Sequence, residues 1–237
     1  MTNIKKHSDK YLEKFFKNIK ANDIILTFIN YNYMPIFDFF YKYFEKLNLK
    51  NNFIVISIDK KSYLYLKSKK IKTLLFNYKL LDKINFWEFR YNITNKLFQL
   101  SKKNIIHTDS DCIWFNNISN SNVLKLNYDI IGSIAYGFPK NVKEKIGFVL
   151  CCGFFKIFYN KNKINLLNII KKKIYNKNIL DDQKRINNFI LHEHDTIVEK
   201  NIGFEITFKN INIKILILNN SYVSRSKDNN KKLLYHP

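Results

Sequence analysis

Residues 105 to 115 read Ile105-Ile106-His107-Thr108-Asp109-Ser110-Asp111-Cys112-Ile113-Trp114-Phe115, an apolar run that stops at two carboxylates one residue apart. In extended chain, residues i and i+2 point to the same side. Asp109 and Asp111 therefore face one ion if the strand continues, or bracket it if the chain turns there. Hard cations such as Mg²⁺ take oxygen ligands and are held by one or two carboxylates together with the phosphates of a substrate. Asp-x-Asp is also common in turns and helix N-caps, so the neighbouring elements decide its meaning.

On the N-terminal side, strands alternate with helices. Asp23 to Ile29 is a β-branched apolar run, followed by Pro35 and a helical pattern through Phe39, Phe40, Tyr43, Phe44 and Leu47. Asn52 to Asp59 predicts a second strand, Ser62 to Lys70 a short helix and Ile71 to Phe76 a third strand. A helix is expected from Asn85 to Leu100, and Asn104 to Thr108 is the strand that carries the pair. Nearly continuous apolar strands between helices predict an α/β fold, a mostly parallel central sheet with helices on both faces. Ligands bind beyond the carboxyl ends of such strands, where Asp59, Asp109 and Asp111 then converge. Farther along, strands are expected at 128–133, 147–158 and 211–218, and helices at 163–175 and 181–191.

With 237 residues, 46% of them hydrophobic, the chain can bury a substantial core and is not disordered. Only 5 glycines and 3 prolines occur and nothing resembles a linker, so a single domain is expected over 21–237, preceded by a basic helical extension at 1–20. The formal charge of +22 would ordinarily indicate nucleic acid or an anionic membrane. The lysines are dispersed among many Asn and Ile, however, and read as a solvated surface that favours anionic ligands, with no specific nucleic-acid partner. The three cysteines, Cys112, Cys151 and Cys152, lie in apolar contexts and cannot form a disulfide framework. A reducing, cytoplasmic setting is expected, without signal peptide or membrane span.

Four passages resemble the nucleotide-diphospho-sugar transferases of the GT-A (Rossmann-like) fold, the group that includes plant and protist arabinosyl-, xylosyl- and α-galactosyltransferases. They are residues 25–33 leading to Phe53-Ile54-Val55-Ile56-Ser57-Ile58-Asp59; Phe86-Trp87-Glu88-Phe89-Arg90; His107 to Trp114, close to "D-x-D-V-V-W"; and Cys151-Cys152-Gly153-Phe154-Phe155 with Leu180-Asp181-Asp182-Gln183-Lys184-Arg185-Ile186-Asn187, similar to "D-D-Q-x-x-x-N". The resemblance runs from about Asp23 to the C-terminus.

The resemblance implies a transferase that moves a sugar from a nucleotide diphosphate, with a UDP-sugar expected, to a hydroxyl on a glycan, protein or lipid-linked acceptor. Asp111 would ligate Mn²⁺ or Mg²⁺, Asp109 would ligate it or bind the ribose, and Ser110 lies between them on the donor. Arg90 would face the diphosphate, and Thr27, Asn30 and Asp59 would hold the nucleoside. Asp182 and Gln183 would flank the donor sugar and acceptor as catalytic residues, beside Gly153, whose missing side chain lets backbone approach the sugar. His236 matches a late histidine that supplies a third metal ligand. A Gly and a Lys often follow that histidine in the family, whereas this chain stops at Pro237, so either the chain is truncated or another group serves. The family likeness implies retention of configuration, by front-face displacement or through a covalent intermediate on Asp182.

Plainer readings stand beside these. Trp114 and Phe115 read as core, and His192 and His194 as surface histidines rather than a metal pair. Asp181 and Asp182 suit a helix N-cap, which leaves the second carboxylate to face the cleft. Lys171-Lys172-Lys173 reads as solvated, with contact to an anionic membrane surface as the alternative. The competing functions are a phosphatase of the haloacid dehalogenase type, a basic nucleic-acid-binding protein and an inactive scaffold.

Overall fold

The structure, a computed structural model, describes residues 7–76, 83–117, 121–135, 137–163, 167–168, 170, 181–224 and 234–236. The helix expected at 163–175 and the lysine run Lys171-Lys172-Lys173 lie largely or wholly outside these residues, as does Leu180.

The chain opens with helix α1 (Asp9–Lys17), capped by Ser8, then strand β1 (Asp23–Ile29), helix α2 (Met34–Phe44), β2 (Phe53–Ser57), α3 (Lys60–Ser68), β3 (Thr73–Leu75), α4 (Lys83–Ser101) and β4 (Asn104–Thr108). After a turn come β5 (Ile113–Trp114), β6 (Ile130–Ile134), α5 (Lys140–Ile146), β7 (Leu150–Ile157) and α6 (Asp182–Glu193). The hairpin β8 (Thr196–Lys200) and β9 (Gly203–Phe208), then β10 (Ile213–Leu218), β11 (Val223–Ser224) and β12 (Leu234–Tyr235), complete the described elements.

Among the described residues, nine strands form one sheet in the order β3-β2-β1-β4-β7-β6-β10-β9-β8. β3, β2, β1 and β4 are mutually parallel, β6 and β10 are parallel to each other, and β7 and β9 run against their neighbours. The mostly parallel α/β sheet read from the apolar runs is therefore present. Alternation along β1 divides the core: Ile24, Leu26 and Phe28 pack on one face with Leu12, Phe16, Leu97, Phe98 and Ile190, while Ile25 and Ile29 pack on the other with Phe37, Phe40, Phe44 and Trp114. Helices thus cover both faces. Trp114 is a core residue as expected, 1% exposed.

The β8–β9 hairpin has no counterpart among the expected elements. Most of β8 is exposed, so it lacks the apolar run that marks the central strands. No described helix is long and apolar enough to cross a membrane.

Candidate active site

β1, β2 and β4 end at the same edge of the sheet, and the site is built there. β4 stops at Thr108, and the Cys112 N–H donates to the Asp109 carbonyl at 3.2 Å, closing a turn over Asp109–Cys112. The two aspartates therefore bracket a turn rather than share a strand face. Alternation in β4 still governs the first of them: His107 and Asp109 lie on the same side, beneath α4, which presents Arg90.

Arg90 is 5% exposed and joins three groups. Its Nη1 donates to Asp109 Oδ1 at 3.0 Å, its Nη2 donates to Asp182 Oδ2, and His107 Nε2 lies 3.0 Å from the same Asp109 oxygen. Burial alone would lower the guanidinium pKa, but Asp182 and Asp109 raise it further than burial lowers it. Burial would likewise raise the Asp109 carboxyl, yet Arg90 and the His107 hydrogen bond hold it well below the usual carboxylate range. His107 is pushed down, first by its complete burial, so a neutral ring donating from Nε2 to Asp109 fits this environment. The other ring nitrogen, Nδ1, has no hydrogen-bond partner among the described residues.

Asp182 stands at the first turn of α6. Asp181 caps that helix, its Oδ1 accepting from the Lys184 N–H at 2.8 Å, so Asp182 is left to reach Arg90. Asp182 Oδ1 also accepts from the Gln183 N–H at 2.8 Å. Gln183 is turned to backbone: its Oε1 accepts from the Cys152 N–H and its Nε2 donates to the Phe138 carbonyl. One turn on, the buried Asn187 amide accepts from the Leu150 N–H and donates to the Leu150 and Gln183 carbonyls. These bonds fall where the β6–β7 register jumps, Gly132 pairing with Phe155 but Ser133 with Cys151. At this irregularity over 152–154, α6 satisfies the Cys152 N–H and, just before it, both backbone groups of Leu150.

His236 arrives from the far end of the sequence. β12 pairs antiparallel with β5, Leu234 opposite Trp114 and Tyr235 opposite Ile113, which sets the next residue beside the turn. His236 Nε2 lies 3.6 Å from Asp111 Oδ1, and its Nδ1 lies 3.5 Å from Cys151 Sγ. Burial lowers the His236 pKa, but the Cys151 contact and the Asp109 and Asp111 charges outweigh it and raise the value. The space beside Gly153 belongs to this ring: a Cβ there would overlap the His236 imidazole and stand 3.0 Å from Asp109 Oδ2.

Potential metal ligands converge at this point. One ligand atom each from Asp111, Cys112 and His236 lie within 4.8 Å of one another. Asp109, expected as a ligand beside Asp111, is not part of this trio; its Oδ1 is taken by Arg90 and His107, while its Oδ2 faces the space shared by Gly153 and His236. The carboxylate and imidazole suit a divalent cation, so the donor set fits such an ion.

A cleft of about 420 Å³ opens over the site, lined by Phe28, Asn30, Tyr33, Arg90, Ser110 and Asp111 among others. Ser110, Arg90, Asp109, Asp111 and Asn30 are therefore together, and three further expected residues stand apart from the open cleft. Thr27 is completely buried within β1, its hydroxyl unpartnered among the described residues, and the cleft wall is instead Phe28 to Asn30. Asp59 spends both carboxylate oxygens on backbone, accepting from the Ser62 and Tyr31 N–H groups at 2.8 Å each. Gly153 makes room for His236 and Asp109 rather than presenting open backbone. His192 is exposed on α6, and His194 Nδ1 lies 2.7 Å from the Ile190 carbonyl, so neither joins a metal group among the described residues. His107, Cys112 and Asn187 had no assigned role; the i, i+2 relation to Asp109 was the available signal for His107.

Comparison with known proteins follows this geometry. The profile described as nucleotide-diphospho-sugar transferase matches residues 48–236. No match is found among curated protein sequences. The galactosyltransferase LgtC, solved in complex with donor and acceptor sugar analogs, is 12% identical with a TM-score of 0.52, the match covering 90% of this chain and 86% of that one. An active-site mutant of LgtC gives a TM-score of 0.55 at 12% identity and the same coverage. A glycosyltransferase involved in the glycosylation of the major capsid of PBCV-1 is 9% identical with a TM-score of 0.50, covering 91% of this chain and 92% of that one. At these identities the structural likeness shows the fold, and the profile match shows the family. The chain belongs to the nucleotide-diphospho-sugar transferases and is a glycosyltransferase of the GT-A fold.

Proposed function

We propose that the cleft over Asp109, Ser110 and Asp111 binds a UDP-sugar with a divalent cation and transfers the sugar to a hydroxyl acceptor with retained configuration. The observation that carries this reading is the 3.6 Å approach of His236 Nε2 to Asp111 Oδ1 at the carboxyl edge of the sheet. Asp111 and His236 would hold Mn²⁺ or Mg²⁺, which when bound neutralises charge on the donor diphosphate.

The chain's own residues do the rest. Phe28, Asn30 and Tyr33 form the wall on which the nucleoside rests, and Tyr33 offers an aromatic face. Arg90 is fixed by Asp109 and Asp182, so its role is to set the charge and position of those two carboxylates rather than to swing toward phosphate. Asp182 is correspondingly a weak nucleophile, since Arg90 and the Gln183 N–H occupy its oxygens. That favours front-face displacement. The acceptor oxygen bonds to the anomeric carbon as the bond to the diphosphate oxygen breaks, and the acceptor proton passes to the departing phosphate.

A panel of UDP- and GDP-sugars, with and without Mn²⁺, tests the proposal by thermal shift. A UDP-sugar should stabilise the protein only when the cation is present, and Asp111→Ala should abolish the effect. Stabilisation by no nucleotide sugar, or stabilisation unaffected by Asp111→Ala, would refute it.

A further inference from the structure

The turn that ends β4 carries a group that an oxygen-ligand cation would not use. Cys112 is completely buried and its thiol donates to the Gly153 carbonyl at 3.4 Å, directly under the turn. β5 follows at once, and its pairing with β12 brings His236 to the same point. Sulfur, imidazole nitrogen and carboxylate oxygen then lie within 4.8 Å of one another. Ligand atoms around a tetrahedral zinc ion, with bonds of about 2.0–2.3 Å, are separated by roughly 3.3–3.8 Å. The His236–Asp111 pair already meets that separation at 3.6 Å, and the sulfur lies within 4.8 Å of a ligand atom on each of them.

The surroundings hold the ring in a ligating orientation. Cys151 Sγ accepts from the Gly153 N–H at 3.4 Å and faces His236 Nδ1 at 3.5 Å, which leaves Nε2 toward Asp111. A metal-bound histidine commonly uses its second nitrogen in this way, to fix tautomer and ring orientation. A mixed sulfur, nitrogen and oxygen set selects Zn²⁺ and its softer analogues over Mg²⁺, and in the divalent series Zn²⁺ binds such ligands more tightly than Mn²⁺.

We infer that Asp111, Cys112 and His236 form a thiolate-containing site that takes Zn²⁺ in preference to Mn²⁺ and Mg²⁺, and that zinc there competes with the cation of the donor. The thiol proton passes to solvent as the sulfur–zinc bond forms. Zinc then occupies Asp111 and His236, the two side chains that the donor's cation needs. The zinc site stands on the three side chains; its competition with the donor's cation rests on the donor site proposed above.

Cobalt is the probe. Added to metal-free protein without nucleotide, Co²⁺ should give a sulfur-to-cobalt charge-transfer band in the near ultraviolet, which Zn²⁺ abolishes and excess Mg²⁺ does not. The band should vanish in Cys112→Ser and persist in Cys151→Ser. Because Cys112 is buried, circular dichroism must show that its variant folds; His236→Ala, at a half-buried position, gives an independent second variant that should weaken Co²⁺ binding at least tenfold. Absence of the band, or its survival in folded Cys112→Ser, overturns the inference. A band from Cys112 in a protein that no nucleotide sugar stabilises would leave the zinc site standing and remove the donor proposal; the reverse pattern would do the opposite.

Discussion

Nε2 of His236 lies 3.6 Å from Oδ1 of Asp111, a contact between the turn just before β5 and the residue just after β12, at opposite ends of the C-terminal half of the chain. It is local in space only because β12 pairs with β5. Asp111 is 45% exposed at its side chain, so its removal should cost little stability. Asp111→Asn and His236→Ala are each expected to weaken Mn²⁺ binding, in the presence of UDP, at least ~10–100-fold, a loss that even outer-shell partners of metal ligands reach. Isothermal calorimetry reads this directly. Wild-type affinity in both variants would place the cation elsewhere.

Gly153→Ala should damage the site and the fold together. The added methyl would overlap the His236 ring, which is held between Cys151 and Asp111 and has no room to retreat without losing one of them. Overpacking of this kind costs about 1–3 kcal/mol. Urea unfolding should show that loss, and the double variant Gly153→Ala with His236→Ala should recover most of it. Equal destabilisation in the single and double variants would mean that the ring is not what fills the space.

What the sequence discloses and what it hides follow from the range of the interactions. β1, β2 and β4 are legible because strands buried on both faces must be apolar throughout, and this places Asp109 at a sheet edge. The Asp181 cap and the inward Asp182 are legible too, since capping is local. Thr27 is buried inside β1, two residues short of its end, and a run apolar on both faces does not mark which side chains reach the cleft. Cys112 and Gly153 acquire their meaning only from His236, which is brought in by a pairing of two-residue strands too short to leave any period. β8 escapes notice because an exposed edge strand need not be apolar.

On the opposite part of the sheet, Glu205 ties the added hairpin to the core. Its Oε2 accepts from Lys200 Nζ at 2.7 Å and from the Tyr128 hydroxyl at 2.6 Å, and these two bonds, Lys200 first, hold its carboxyl below the ordinary value. A depressed carboxyl contributes stability that is present above its unfolded pKa of about 4.3 and is lost as pH falls through the lower folded value. Tyr128→Phe should therefore cost about 1 kcal/mol near neutral pH, the worth of one hydrogen bond, and distinctly less near pH 3. Urea melts at the two pH values measure the difference. A cost independent of pH would show that Tyr128 acts through packing alone.

Arg90 offers the largest expected effect. It is 6% exposed at its side chain and satisfies Asp109, at 34%, and Asp182, at 20%, on two different elements. Removing one partner of a buried ion pair costs about 3–5 kcal/mol because the remaining charge is left uncompensated; here the carboxylates retain access to water, so about 3 kcal/mol is expected for Arg90→Met. Arg90→Lys keeps a charge but cannot span both carboxylates with a rigid fork, so it should recover only part of the stability. The charge argument gives a sharper test. In the triple variant Arg90→Met, Asp109→Asn, Asp182→Asn no carboxylate is stranded, and stability should return most of the way to wild type while transferase activity stays lost. A triple variant no more stable than Arg90→Met would mean that the guanidinium supports the fold by filling volume between α4 and α6 rather than by balancing the two charges.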